Sequence, residues 1–556
     1  MTNKLESTIG NSEVVDHHDD TRCNDANEAA SGLSRSSNQP WRIESNGIRQ
    51  VPEEECSGGA WDLFWVWFAA NIGILGLVLG AIVLSFGLNF WQSLIAIAGG
   101  TVVSFSLVSM LSLASWKGRV PMMTISRAIF GLYGNFIPTL VSWVSLVGWE
   151  TIAVITGTLA MMALLGMAIH AGTVTLGLAS LVVVAGLSIA FSILGQATLV
   201  VVQKWGSYLL GIMTVGILVE ILTRTSFHAL ISQRGGSWLD GVVPAFSIVV
   251  AGTGLSWANA AGDYSRYTSA STRGRSIFWG VLAGGSIPLV VLMITGVLLG
   301  ARDPHIATAT NPVAAIQHVL PSWMYVPYLI TAVGGLIVEA DLSLYSSGLN
   351  LLNMFVPLKR YKSVFIDACI MLGGTVYVVF FSSSFFQPFE SFIILLGVGL
   401  AAWAGIFVAG QLRFGCALQN ASPGIGTPGI GMPGTASPNT GMPGGDSRGS
   451  LFDPKCSTLL VRKGIGWPGV IAWTISAAIG LLFTTSPFFS GPLAKGIFAD
   501  SSLEILISFA IGGIAFYVLS LFKSHSHKTG LHPEQDFATR SIPSEQALSD
   551  TSDVLA

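Results

Sequence analysis

AGTGLSWANAAGDYSRY, residues 251–267, decides the fold. It lies in an apolar run long enough to cross a bilayer. Gly252, Thr253, Gly254 and Ser256 sit at the centre of that run, and Asp263, Tyr264, Ser265 and Arg266 close it. Backbone groups in hydrocarbon need internal partners, so a weak point in mid-span is tolerated only where protein buries it or a cavity lies beside it. The first apolar run has the same feature: WFAANIGILGLVLG, 67–80, places Asn71 and Gly73 midway. Taken singly, such glycines also serve close helix packing. The first and sixth runs are five apart, however, and matching breaks at that spacing are the pattern of two inverted five-helix repeats around a midplane site.

The whole chain carries this membrane character. Of its 556 residues 51% are hydrophobic and only 10% charged, against roughly a quarter charged in soluble domains. The 64 glycines and 16 tryptophans fit close helix approach and interfacial anchoring. A net charge of −3 identifies no partner, and nothing points to nucleic acid or to an obligate protein partner. Cys23, Cys56, Cys369, Cys416 and Cys456 have no paired spacing, so neither a disulfide framework nor a metal site is expected. The polar, acidic start lacks the features of a secretory signal.

Windows of about 20 apolar residues number twelve: 62–88, 91–114, 136–165, 173–195, 199–222, 240–262, 276–300, 323–345, 364–382, 388–410, 466–485 and 503–521. With a cytoplasmic N-terminus, only Arg224, Arg234, Arg302 and Lys495 of the 27 Lys and Arg fall outside, which leaves 23 inside. The expectation is an all-α integral membrane protein of twelve transmembrane helices in the plasma membrane, both termini cytoplasmic. Residues 1–60 and 522–556 read as disordered tails, 61–222 and 238–410 as the two repeats, 411–465 as a Gly/Pro-rich cytoplasmic loop, and 466–521 as two extra helices.

Ionisable residues within spans are costly and usually face a cavity or a polar partner. Glu150, Glu339, Asp341 and Asp367 are of this kind. Glu339 and Ser343, at i and i+4, share a helix face; Glu339 and Asp341 do not. For Asp367, close to a cytoplasmic end, pairing with polar groups of another helix is the expected role. Most tryptophans fall near interfaces, but Trp149, beside Glu150, and Trp257, just after the glycine break, lie inside spans. Two indoles could hold a flat solute while a carboxyl reads its edge. No P-loop, HExxH or nucleophile triad is recognisable, so no enzyme is expected.

NGIRQVPEEECSGGAWDLFWVWFAANIG, GRVPMMTISRAIFGLYGNFIP, GWETIAVITG, GDYSRY and LSLYSSGLNLL, in this order, resemble the nucleobase:cation symporter family, in its purine/cytosine permease branch. The resemblance runs from about Trp41 to Leu521. It implies the five-plus-five inverted-repeat fold of sodium-coupled amino-acid symporters, with two accessory C-terminal helices. It implies that Trp149 and Trp257 sandwich a planar substrate, that Glu339 and Ser343 stand where relatives carry two asparagines reading its edge, and that the backbone around Asn71 and Gly73 completes the pocket. From the residues themselves, Glu150, Gly254 and Ser256 join the expected substrate-binding set. Asp263 to Arg266 would anchor the cytoplasmic end of the sixth helix, either as a structural cap or as part of a gate. Three departures stand out. Ala153 replaces a polar residue, Glu339 replaces an amide, and Ile337 and Val338 lack the hydroxyls that sodium-dependent relatives supply.

These readings lead to import of a nucleobase (cytosine, adenine, guanine or hypoxanthine) by cation symport, without an organic cofactor. The coupling ion is H+ or Na+, with H+ favoured and Glu339 and Asp341 as coupling residues. The alternatives are sodium coupling through backbone carbonyls of the first and eighth helices, another planar heterocycle (allantoin, a hydantoin or a thiamine precursor), and a channel or transporter-like sensor.

Overall fold

A computed structural model describes residues 38–224, 231–232, 234–309, 311–382, 386–419, 464–486, 489–499 and 501–526. The expected Gly/Pro-rich stretch 422–445 and the outer parts of both expected tails lie outside the described residues. Helices dominate. The first apolar run forms α1 (Ala60–Ala70) and α2 (Leu75–Ser85), bent by 65° where Asn71 leaves helical geometry. There follow α3 (Phe90–Gly118), α4 (Phe136–Ala168), α5 (Thr173–Leu194), α6 (Gln196–Thr223), α7 (Trp238–Ala260), α8 (Gly274–Arg302), α9 (Tyr325–Asn353), α10 (Arg360–Phe381) and α11 (Phe386–Gln419). The last two are α12 (Trp467–Phe483) and α13 (Leu503–Ser526).

Among the described residues ten helices are long and apolar enough to cross a membrane, eleven with the bent pair counted as one. α12, the expected eleventh span, is a shorter apolar helix. The outer faces match lipid: Trp61, Trp91, Trp238, Trp279 and Trp467 stand exposed near helix ends, as an aromatic belt requires. α9 is the opposite case. Almost every one of its residues is buried, and its longest contact is with α4. It forms the axis against which the breaks are packed.

The break in α7 has a visible cause. Thr253 leaves helical geometry at φ −117° and ψ −115°, while its hydroxyl still donates to the Val249 carbonyl at 2.6 Å. Ser104 of α3 receives the loosened turn: Gly254 N–H donates to Ser104 Oγ at 3.1 Å, and the Ser104 and Thr253 hydroxyls lie 2.7 Å apart. A Cβ on Gly254 would fall 2.5 Å from the Ser104 backbone. Glycine is therefore required there by the close crossing of α3, and the orphaned backbone groups are satisfied inside the protein.

The expected N-terminal tail 1–60 is too long. Residues from 38 onward pack on the bundle, and Val51 is wholly buried. Val51 N–H donates to the Arg119 carbonyl at 2.9 Å, and Gly58 N–H to the Tyr267 carbonyl at 3.0 Å. The anchor is Glu44. Its Oε1 accepts from Arg266 Nη2 at 2.9 Å and from the Tyr267 hydroxyl at 2.6 Å; its Oε2 accepts from Gln196 N–H at 3.0 Å. Arg360 Nε stands 3.8 Å from Oε2. Burial pushes this carboxyl up, but Arg360 and Arg266, with the Tyr267 and Gln196 donors, outweigh it and hold Glu44 below its usual range. Gly195, at φ +92°, turns the chain between α5 and α6, and a Cβ there would meet Glu44 at 2.5 Å. Local composition gives no hint of this clasp, because its members lie up to 316 positions apart, from Glu44 to Arg360.

Candidate functional site

Both breaks open on one cavity of about 170 Å³, well above the roughly 10–15 Å³ that one water needs. Asn71 and Gly73 come from the α1–α2 break, Gly252, Ser256 and Trp257 from α7, Trp149 from α4, and Glu339 and Ser343 from α9. Leu79, Leu146, Ile152 and Leu289 add apolar wall, and the cavity follows α2 as far as Ile82. α9 sets its depth. A Cβ on Gly335 would lie 3.2 Å from the Gly73 Cα, and one turn further along a Cβ on Gly73 would lie 3.4 Å from Glu339 Oε2.

Polar groups in this cavity are few and aimed. Glu339 has no hydrogen-bond partner among the described residues, and the Ser343 hydroxyl is buried without one. Asn71 and Ser256 are partly committed to their own helices: Asn71 Nδ2 donates to the Trp67 carbonyl at 2.8 Å and Ser256 Oγ to the Thr253 carbonyl at 2.7 Å. Below the cavity, Trp257 meets Trp67 edge to face with ring centres 5.7 Å apart, and Tyr264 closes on Trp67 at 5.6 Å. Tyr264 is fastened in turn, its hydroxyl donating to the Leu342 carbonyl at 2.9 Å. Asp263 lies beyond the span, and its Oδ1 accepts from Met122 N–H at 2.8 Å. Burial, only partly offset by that bond, raises its carboxyl to about 6.

Three expected site residues do not line this cavity. Glu150 is one step from Trp149, about 100° around the helix, and its Oε2 accepts from Ser347 Oγ at 3.0 Å. Gly254 is turned into α3, as described above. Asp341 faces α6, where Gln203 Nε2 donates to its Oδ1 at 3.0 Å; it is two positions from Glu339 and so on the far side of α9. Asp367 has the expected polar partner, accepting from Trp143 Nε1 at 2.9 Å. Ala153 is wholly buried in apolar packing and does not face the cavity. Sequence reasoning missed Ser104 and Glu44; only an alignment of the chain onto its own folded neighbours would have singled them out.

A family model described as "Permease for cytosine/purines, uracil, thiamine, allantoin" matches residues 50–424. The chain belongs to this family. YxlA of Bacillus subtilis (strain 168), provisionally named a purine-cytosine permease, is 25% identical to this permease over 500 residues, 86% of this chain and 96% of its own. Purine-cytosine permease FCY2 of Saccharomyces cerevisiae is 27% identical over 261 residues, 46% of this chain and 47% of its own. Among solved structures, Mhp1, a nucleobase-cation-symport-1 family transporter in a closed conformation with bromovinylhydantoin bound, superposes with a TM-score of 0.62 at 16% identity. That match covers 88% of this chain and 96% of Mhp1. A Na+-coupled sialic acid symporter follows at 0.56 and 11% identity, covering 84% and 91%. The permease therefore has the Mhp1-like transporter fold and is a multi-pass membrane protein of the nucleobase/cation symporter family.

Proposed function

We propose that this permease imports a nucleobase, cytosine or a purine, by symport with a proton through alternating access. The observation that carries the reading is the cavity itself. Trp149 and Trp257 offer aromatic faces to a planar ring, while Glu339 and Ser343 present a free carboxyl and a free hydroxyl to its edge. Asn71, Gly73 and Ser256 bring polar backbone and side-chain groups from the two breaks. A protonated Glu339 has one donor and one acceptor, the same set as an amide. Asp341, bound to Gln203 and remote from the cavity, is assigned a supporting role in coupling at most.

Proton coupling is favoured over sodium by what surrounds the first break. A hard cation needs several oxygen ligands, yet Ile337 and Val338 bring no side-chain oxygen. The Val338 carbonyl already accepts from Gln203 Nε2 at 3.1 Å, and the Ile337 carbonyl lies 3.4 Å from Ser188 Oγ, whose shorter bond is to the Val184 carbonyl at 3.0 Å. In this reading the chain has twelve spans, α12 included, in two five-helix repeats (61–222 and 238–410) plus two accessory helices. Both termini are cytoplasmic and the location is the plasma membrane. No catalytic role is assigned to any residue.

The test is uptake of labelled cytosine and adenine into liposomes containing the purified permease, with proton and sodium gradients imposed separately. Accumulation driven by the proton gradient alone is the expected result; accumulation only with sodium would reject the coupling, and no uptake of either base would reject the substrate. The pocket has its own test. Trp149→Ala and Trp257→Ala are each expected to weaken cytosine binding by about 5- to 150-fold, since a stacked base is worth about 1–3 kcal/mol. Binding unchanged in both variants, measured by calorimetry in detergent, would remove the sandwich.

A further inference from the structure

A second group of buried polar residues lies one step outside the cavity. Glu150 on α4 and Asp367 on α10 are both fully buried. Ser347 of α9 lies 3.0 Å by its hydroxyl from Glu150 Oε2 and 3.1 Å from the Leu344 carbonyl, with Asp367 within its electrostatic reach. A hydroxyl has one hydrogen, so it cannot serve all these acceptors at once. Glu150 Oε1 and Asp367 Oδ2 have no hydrogen-bond partner among the described residues. Each points into protein with an unmet need for a hydrogen.

No cation faces this pair among the described residues. The elements packed around it are α4, α5, α9, α10 and α11. α5 has no charged residue, and on α9 Glu339 faces the cavity while Asp341 faces Gln203. On α10, Arg360 is clasped to Glu44 and Lys362 is exposed; on α11, Arg413 lies over the Tyr517 ring. Two ionised carboxylates with no counter-charge cannot share a dry site. At least one proton must be held between them, as in other carboxyl dyads.

The route to this pair is built into α9. Glu339, Ser343 and Ser347 follow one another at intervals of four along one face of α9; no hydrogen bond joins Ser343 Oγ to either neighbour, and each step, about 5–6 Å between Cβ atoms, needs one bridging water to carry a proton from the cavity toward Glu150. Beyond Ser347 the α4–α9 contact stays polar toward the helix end: Asn350 Nδ2 donates to Ser142 Oγ at 2.6 Å and Asn353 Nδ2 to Thr139 Oγ1 at 3.0 Å. We propose that Glu150 and Asp367 form a shared proton-binding site that takes the symported proton from Glu339 through Ser343 and Ser347. The site cycles between one proton and two. It gains the proton that Glu339 loses and releases it toward the end of α9. This assignment rests on the proton-symport reading and adds a residue pair to it.

The experiment uses the full chain in liposomes, with cytosine as probe and Glu150→Gln, Asp367→Asn and Ser347→Ala as variants. Neither acid lines the cavity, so both amide variants are expected to bind cytosine within about threefold of wild type. Their accumulation ratio in a proton gradient should fall to one while downhill exchange continues. Infrared difference spectra on adding cytosine should show a protonated-carboxyl C=O band that each amide variant loses and Glu339→Gln retains in part. Should the amide variants fail to fold, Ser347→Ala decides: it removes the last hydroxyl of the route and one hydrogen bond to the pair, so proton-driven uptake should slow and its pH midpoint should move by about one unit.

Full accumulation by Glu150→Gln and Asp367→Asn, or an unmoved midpoint in Ser347→Ala, would overturn the pair. Loss of cytosine binding in the amide variants would overturn it too, returning Glu150 to the substrate pocket. Sodium-driven accumulation by the wild type would instead reject proton symport, and with it this inference. Proton-driven wild-type uptake that survives in the variants rejects the pair alone.

Discussion

Glu44→Ala is expected to destabilise the permease by about 3–5 kcal/mol, the cost of leaving a buried charge without its partner. Arg266 is completely buried and gives Nη2 to Glu44 Oε1 at 2.9 Å and Nη1 to the Gly47 carbonyl at 2.6 Å. Arg360 stacks its guanidinium over the Tyr345 ring at 4.5 Å, beside the same carboxylate. Without Glu44, two guanidinium groups face one another with hydrogen-bonding hydroxyls but no anion. The ends of α7, α9 and α10 then lose their common tie to the N-terminal segment. Thermal unfolding in detergent should show a large drop in midpoint, and Glu44→Gln a smaller one. A wild-type midpoint in Glu44→Ala would mean that the clasp contributes nothing.

The same clasp sets a direction with pH. The folded protein holds Glu44 below its ordinary value, so its contribution to stability is complete above the unfolded carboxylate range. It is lost as pH falls through the lowered folded value. Acid destabilisation from this source therefore begins as pH falls into the usual titration range of a glutamate and is complete only below the lowered folded value.

Glu339→Gln is the second large effect. The amide keeps a donor and an acceptor toward the substrate edge, so cytosine binding should stay within about tenfold of wild type. Coupling should not survive, because an amide has no proton to release. The concentration ratio reached in a proton gradient is expected to fall to one, with downhill uptake intact. Normal accumulation by Glu339→Gln would exclude Glu339 as the coupling acid, whatever the substrate proves to be.

How much of this was legible in the chain depends on the range of the interaction. The breaks were readable because Asn71–Gly73 and Gly252–Ser256 interrupt runs that are otherwise apolar, and both interruptions do open on the same cavity. Trp149 and Trp257 stood out for the same reason, as aromatics away from interfaces. Glu339 and Ser343 could be placed on one face by their spacing of four. Glu150 adjoins Trp149 in sequence but not in space: one step along α4 turns its carboxyl from the cavity to Ser347. Gly254 was misplaced because a glycine in a break serves either a ligand or a crossing helix, and only the position of Ser104 decides which.

The sequence by itself determined that this is a helical membrane protein of the nucleobase/cation symporter family, with irregular first and sixth spans. Hydropathy and helix spacing are local properties, and ordered motifs identify a family without any coordinates. The tertiary structure alone decided which polar residues share a space. It drew Glu44 across 222 positions to Arg266, brought Glu150 and Asp367 to one serine, and left Glu339 unpaired in the cavity. Those outcomes depend on how helices cross, and a buried charge finds its partner by proximity in the folded chain, which no window of sequence contains.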